Sequence, residues 1–321
     1  MTRRYLVRRL LQVFPICAAI LLVGFLLIHL APGDPVLAVA GDSGDEQYYA
    51  EMRERFGLDR PLPVQLGIYA GKVVKGDFGV SYTRGRPARE VIAERVPASL
   101  LLATTALVVA VVVGIGFGVV AATRQRGILD VATSTVALGL YAAPVFWVGQ
   151  LAVLFFALRL DWFPVQGMTS ADRSGGGWHH ILDVVHHLAL PALVLASQEI
   201  GAISRLARSG LLDELGRDHI RTARAKGVRE RSVLLKHAMR RALLPVVTVI
   251  GGRVGYFVSG AVVVEILFAW PGVAQLLVSS VQSRDIPIVL GIFFLVSLIV
   301  VIANLLTDLA YVWLDPRIRY R

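Results

Sequence analysis

Long apolar runs separated by polar segments organise the chain from end to end. A bilayer core about 30 Å thick needs roughly 20 helical residues at about 1.5 Å each. Six stretches qualify: 10–30, 98–122, 131–158, 188–204, 243–267 and 287–314. The fourth is the weakest, being short, with Pro191 near its start and Gln198 and Glu199 inside it. It is retained because five spans would break the charge alternation described below. The pattern predicts an all-α, polytopic membrane protein with six transmembrane helices, forming a single domain over residues 1–321.

The first run invites comparison with a cleaved signal. Arg3, Arg4, Arg8 and Arg9 make a basic start, and Ala38-Val39-Ala40 imitates a cleavage site. Signal cores are only about 7–15 residues long. The 10–30 run is longer, and the Ala-x-Ala lies well past it, beyond two prolines, so a retained helix is expected.

Composition agrees with a lipid solvent. Apolar residues make up 55% of the chain and mean hydropathy is +0.64, above the usual apolar share of soluble domains. Net charge is +10, with arginine far more common than lysine. In a membrane chain such charge belongs first to cytoplasmic loops. The lone cysteine, Cys17, lies in an apolar run; no disulfide can form within the chain, and a small buried apolar role is expected.

The segments between spans alternate in sign. The N-terminus has four arginines and no acid, whereas 31–97 carries nine basic and ten acidic residues. Residues 123–130 are weakly basic and 159–187 weakly acidic. Residues 205–242 hold eleven basic and four acidic side chains. The loop 268–286 balances Arg284 against Asp285, and the tail carries Arg317, Arg319 and Arg321 against Asp315. The positive-inside rule places both termini in the cytoplasm, 31–97 outside and 205–242 inside.

The extracytoplasmic insert 31–97 is too long for a simple connection. Helices are expected over 46–56, with Gly57 as a stop, over 61–75, and from Pro87 through Val96 into the second span. The insert could be a solvated cap or a landing surface, and composition does not separate the two. His179, Asp183 and His187 would share a helix face. Metal ligation could use them, but with no rigid second segment supplying a ligand, an interfacial role is favoured and no metal is expected.

Enzymatic chemistry is missing. The nearest approach to a phosphate-cradling loop is Gly67-Ile68-Tyr69-Ala70-Gly71-Lys72-Val73, with the wrong spacing and no hydroxyl. There is no Gly-x-Ser-x-Gly elbow and no His-Glu-x-x-His. The chain reads as a non-enzyme, without a cofactor of its own, whose energy comes from a partner or an ion gradient.

The basic inner segment has the form helix–glycine–helix. Residues 218–226 read as helix ending at Gly227, and 231–244 as a second run, with Pro245 opening the next span. Ala223 and Ala225 are small enough for another backbone to approach. A plain topogenic loop would not need two helices and a central glycine, yet such loops often bind anionic lipid, and on pattern alone that plainer reading is favoured; a DNA-binding helix-turn-helix is disfavoured by its tether between two spans, and no nucleic-acid partner is expected.

This segment resembles the coupling loop of permease subunits in ATP-binding-cassette importers, specifically the dipeptide, oligopeptide and nickel branch. The general signature Glu-Ala-Ala-x-x-x-Gly is replaced by Arg221-Thr222-Ala223 leading to Gly227, with Leu244-Pro245 further on at a longer spacing; the Thr-Ala-Arg-Ala-Lys-Gly wording is similar to that branch. Weaker matches run in order along the chain: Leu30-Ala31-Pro32-Gly33-Asp34-Pro35, Phe56-Gly57-Leu58-Asp59-Arg60-Pro61-Leu62, Gly76-Asp77-Phe78-Gly79-Val80-Ser81, Pro144-Val145-Phe146-Trp147, Glu265-Ile266-Leu267-Phe268-Ala269-Trp270-Pro271-Gly272 and Asp315-Pro316-Arg317.

The resemblance implies a type I importer permease in a bacterial or archaeal cytoplasmic membrane, forming half of a translocation pathway. Arg221, Thr222, Ala223, Arg224, Ala225, Lys226 and Gly227, with Leu244 and Pro245, would couple it to a separate ATPase. It implies a second homologous permease, two ATPase subunits or domains carrying ATP and Mg, and an extracytoplasmic substrate-binding protein resting on 31–97 and 268–286. Asp77, Trp270, Pro271 and Gly272 would then serve receptor docking or gating. Peptide cargo is expected, with nickel or another small cargo as the alternative.

Polar groups inside spans are costly and usually face a bundle interior or water. Gln198, Glu199, Arg253, Glu265 and Asn304 are therefore pathway candidates, against structural pairing such as Arg253 with Glu199. Gly114-x-x-x-Gly118 and Gly251-x-x-x-Gly255 permit close helix contact, most simply within this chain. A gradient-driven secondary transporter is the rival class, but no internal repeat is visible.

Overall fold

The computed structural model describes residues 3–30, 36, 45–56, 58–170, 177–247 and 254–314. Among these the architecture is helical. In chain order come α1 (Arg3–Leu30), α2 (Glu46–Phe56), α3 (Leu62–Val74), α4 (Ala88–Thr123), α5 (Ile128–Ala142), α6 (Val145–Ala152) running into a π-helical turn Val153–Arg159, α7 (Trp178–Leu215) and α8 (Asp218–Ala225). A broken helical segment over 230–242 follows, then α9 (Val254–Leu267), α10 (Val273–Gln282) and α11 (Ile286–Leu314).

The helices expected in the 31–97 insert form within a residue or two of their predicted bounds; Gly57 and residues 31–35 lie outside the described residues. Pro87 starts α4 as its fixed φ favours, its carbonyl accepting the N–H groups of Glu90 and Val91. Helix continues from there through Pro97 into the second apolar run.

Among the described residues three helices are long and apolar enough to cross a membrane: Ala88–Thr123, Trp178–Leu215 and Ile286–Leu305. The fourth candidate corrects an expectation. The 131–158 run is not one rod but two helices, α5 and α6, bent by 109°. Proline is the cause. Pro144 disfavours helical backbone at the residue before it, and Ala143 is extended at φ −75° and ψ 133°. Gln198 Nε2 donates to the freed Ala143 carbonyl at 2.9 Å, which keeps the break satisfied.

The weakest expected span, 188–204, lies within the 38-residue α7. More than half of its most apolar window is buried inside the protein. Its modest hydropathy follows, because a helix surrounded by protein can carry Ser197, Glu199 and Ser204 in buried positions.

The chain divides into two compact units, 1–99 with 272–321, and 100–271. In the first, α1 packs on α3 and α11, and Val91, Ile92, Leu276, Ile288 and Ile292 form a buried cluster. Asp285 is fully buried there, accepting from Ser81 Oγ at 2.5 Å and Thr83 Oγ1 at 2.7 Å. In the second unit α7 is the central rod. Gly114 and Gly118 of α4 lie against it so closely that a Cβ would stand 2.8 Å from Ile203 and 2.5 Å from the Ala207 Cβ. This small-residue seam is used within the chain. Gly251 falls outside the described residues.

Candidate functional site

The basic segment after α7 folds on an apolar base. Leu211 of α7, Ile220 of α8, and Val233, Ala238 and Ala242 of the following segment are buried together with Ala122. Gly210 lets this last piece approach α7, since a Cβ there would collide with the Ala242 carbonyl. Burying an aliphatic side chain contributes about 1.5–3 kcal/mol, so the shared base makes the segment one packed piece.

Helix α8 is short and sharply closed. Asp218 stands in its first turn and Arg224 in its last, each favourable to the helix dipole. Gly227 follows in the left-handed region at φ +75°. Its N–H donates to the Arg224 carbonyl at 2.9 Å, and the Val228 N–H reaches back to Ala223 at 3.2 Å. This pair of bonds defines a Schellman ending, and Val228 and Ala223 both lean on the apolar base, as that motif favours. The expected glycine stop is therefore present at Gly227.

The helical run expected over 231–244 is present, with one detail added: Val233–Ala238 is π-helical, and a turn falls at Leu243 before 244–247 resumes. One extra residue per turn of this kind recurs at functional sites. Ala223 is half-buried against the loop's own base. Ala225 is the exposed alanine.

The exposed face carries Arg221, Thr222, Arg224, Ala225, Lys226 and Gly227. Arg221 pairs loosely with Asp218 at 3.6 Å, and Thr222 Oγ1 donates to the Asp218 carbonyl at 2.9 Å. Arg224 makes a two-pronged pair with Glu230 at 3.1 and 2.5 Å, closing the turn from outside. The hydrogen-bonded guanidinium holds the Glu230 carboxyl below its usual range. Further on, Leu244 is half-buried and Pro245 exposed.

Charges also tie α7, which carries the segment, to α5 and the turn before it. Arg208 of α7 grips Asp130 of α5 at 2.8 and 2.9 Å, and Asp130 accepts the Arg126 N–H at 2.9 Å. Arg205 stacks over Tyr141, 3.9 Å from the ring centre.

The other candidates are dispersed. Glu199 and Glu265 are buried at 2% and 0% exposure, Gln198 serves the α5–α6 break, Asn304 is exposed, and Arg253 lies outside the described residues. Trp270 is fully buried, and Pro271 is half-buried. Gly272 precedes α10, which carries on from the expected Pro-Gly break as a ten-residue helix. Asp77 is exposed, and its Oδ1 accepts the Gly79 N–H at 3.1 Å in a tight turn. Asp183 is buried and holds Ser170 through its N–H and Oγ at 2.7 and 2.8 Å. His187 beside it stands 3.6 Å away and His179 is exposed. Among the described residues no cluster of His, Cys, Asp and Glu is arranged to hold a metal.

Sequence reasoning missed Glu214, at the end of α7. It is 4% exposed and faces Arg217 at 3.0 Å, His219 at 3.1 Å and Arg241 at 3.7 Å. Its one available signal was its place three residues before Arg217 at a helix end.

Comparison with known proteins shows the family of the chain. Residues 114–320 match the family model of the binding-protein-dependent transport system inner membrane component, and residues 1–103 match the model of its N-terminal part. A probable peptide ABC transporter permease of Sinorhizobium fredii is 39% identical, over 98% of this chain and 99% of its own length. The oligopeptide transport system permease AppB of Bacillus subtilis is 39% identical over the same shares. The dipeptide transport system permease DppB of Escherichia coli is 37% identical over 99% of each chain. With matches covering the chain from end to end, it belongs to the family of binding-protein-dependent transport system inner membrane components.

Proposed function

We propose that this chain is the permease subunit of an ATP-driven peptide importer, and that α8 with its Gly227 turn is the handle gripped by a separate ATPase subunit. The carrying observation is the exposed, Schellman-closed helix fixed on a buried apolar base. A lever must be rigid to convert motion at one face into opening at the other, and this segment is rigid by packing and by hydrogen bonding.

In this reading six spans cross a bacterial cytoplasmic membrane with both termini inside. A second, similar permease completes the pathway. ATP and Mg reside on the ATPase partners, and an extracytoplasmic binding protein rests on the 31–97 and 268–286 loops. ATPase closure biases the permease between inward-open and outward-open states, as alternating access requires. Peptide cargo is supported by the names of the similar permeases.

The test is a reconstituted complex with its ATPase subunits and binding protein, assayed for uptake of tritiated trialanine and for ATP hydrolysis. Ala225→Glu adds charge on the exposed face without touching the apolar base, which Ala223 also supports. It is expected to abolish uptake while the chain still inserts and folds. Uptake at the wild-type rate would contradict the docking role.

A further inference from the structure

We infer that Glu214 is the joint that transmits force from the coupling helix into α7, a positioning residue for the transport cycle; this rests on the coupling role proposed above. Three segments meet at its carboxylate. Glu214 itself ends α7, Arg217 and His219 belong to the start of the coupling arm, and Arg241 comes from the far side of the loop. Glu214 is buried, whereas Arg217 and Arg241 keep 61% and 55% of their side chains exposed. One buried carboxylate thus meets Arg217, His219 and Arg241, from both arms of the helix–glycine–helix.

The arrangement does something that the apolar base beneath it cannot. Hydrophobic contact is non-directional, so the packed base of Leu211, Ile220 and Val233 holds the segment without itself supplying a directed contact between α8 and the end of α7. A charge-assisted contact to a buried carboxylate fixes direction as well as distance. Glu214 also stands just before the only break between α7 and α8, where Gly216 and Arg217 leave the helix. A tie across that break adds a directed contact to the packing that holds α8.

Glu214 Oε1 and His219 Nε2 are 3.1 Å apart, and among the described residues neither has an aligned hydrogen bond. The two buried atoms face each other across the break between α7 and α8, where a contact between the two helices has to be made.

The test uses the full permease assembled with its ATPase subunits in nanodiscs, with spin labels at the exposed positions Ile128 and Arg229. The width of the distance distribution reports the joint. Its shift on adding ATP and vanadate reports transmission. Glu214→Gln, nearly the same shape without the charge, is expected to widen the distribution about twofold and to cut the ATP-dependent shift at least fivefold, the lower end of ordinary coupling effects. ATP hydrolysis continues. Glu214→Asp restores the charge and is expected to recover most of the shift, which a packing role would not allow. Arg217→Gln added to Glu214→Gln is expected to do no further harm. If Glu214→Gln fails to assemble, Arg217→Gln alone carries the test, with the same directions. An unchanged width and shift would overturn the inference. A wild-type distribution that ignores the ATPase subunits would instead overturn the coupling role on which it rests.

Discussion

Arg208 and Asp130 face each other in a two-pronged ion pair, with Nε and Nη2 at 2.8 and 2.9 Å from the two carboxylate oxygens. Asp130 is 5% exposed, so losing its partner strands a buried charge. Arg208→Ala is expected to lower the melting temperature, because Asp130 loses its two-pronged donor and keeps only the Arg126 N–H and the Ser134 hydroxyl. A thermal melt in detergent checks this, and Asp130→Asn should lose less in the Arg208→Ala background than alone.

Gly227 separates backbone geometry from partner contact. A Cβ there would meet nothing within 4 Å of its own chain, so only the left-handed backbone resists substitution. Gly227→Ala should cost about 1 kcal/mol. Gly227→Asn, which tolerates that region, should fold nearly normally. Gly227→Pro should unmake the turn, because proline fixes φ near −65° and lacks the N–H that donates to Arg224. If the folded Gly227→Asn protein still fails to stimulate the ATPase, a partner surface lies against this spot. ATPase assays of the folded variants read the difference.

The Arg224–Glu230 pair gives a signed pH dependence. The Glu230 carboxyl is held below its ordinary value by the guanidinium, so its contribution is present above the unfolded value and is lost as pH falls through the lower folded one. The difference in melting temperature between wild type and Glu230→Gln should therefore stay constant at neutral and mildly acid pH. It should shrink only below about pH 4.3, the ordinary glutamate value. The difference itself should be small, because both side chains are largely exposed.

Asp285 pins the turn around residues 81–86 in the other unit, accepting from Ser81 and Thr83. Asp285→Ala removes the acceptor for both hydroxyls. Trypsin cleavage after Arg84 should rise several-fold in that variant, while α11 remains intact. Equal cleavage in both proteins would show that the turn holds itself.

How much was legible follows the range of each signal. The Gly227 stop was readable because one glycine after a short helical run is a local rule, satisfied within six residues. The start of α4 at Pro87 was readable for the same reason. The α5–α6 bend was visible only as Pro144 inside an apolar run, and Pro97 and Pro191 sit inside continuous helices. What distinguishes Pro144 is a partner far along the chain, Gln198, which satisfies the freed carbonyl. Glu214 carried no more than its place three residues before Arg217: in a segment rich in charge, composition does not say which carboxylate is buried. Ala223 and Ala225 looked equivalent until the apolar base showed which of them faces inward.

The most direct measurement of the central claim is a contact map at Ala225. A cysteine placed there, in a chain whose native Cys17 is replaced by alanine, would be treated with a short bifunctional thiol crosslinker in the assembled transporter, with cysteines scanned across the ATPase surface. The account predicts a strong crosslink from Ala225 to one groove of the ATPase, and protection of that thiol from maleimide on assembly. Free maleimide labelling in the intact complex, with no crosslink from any ATPase position, would contradict it.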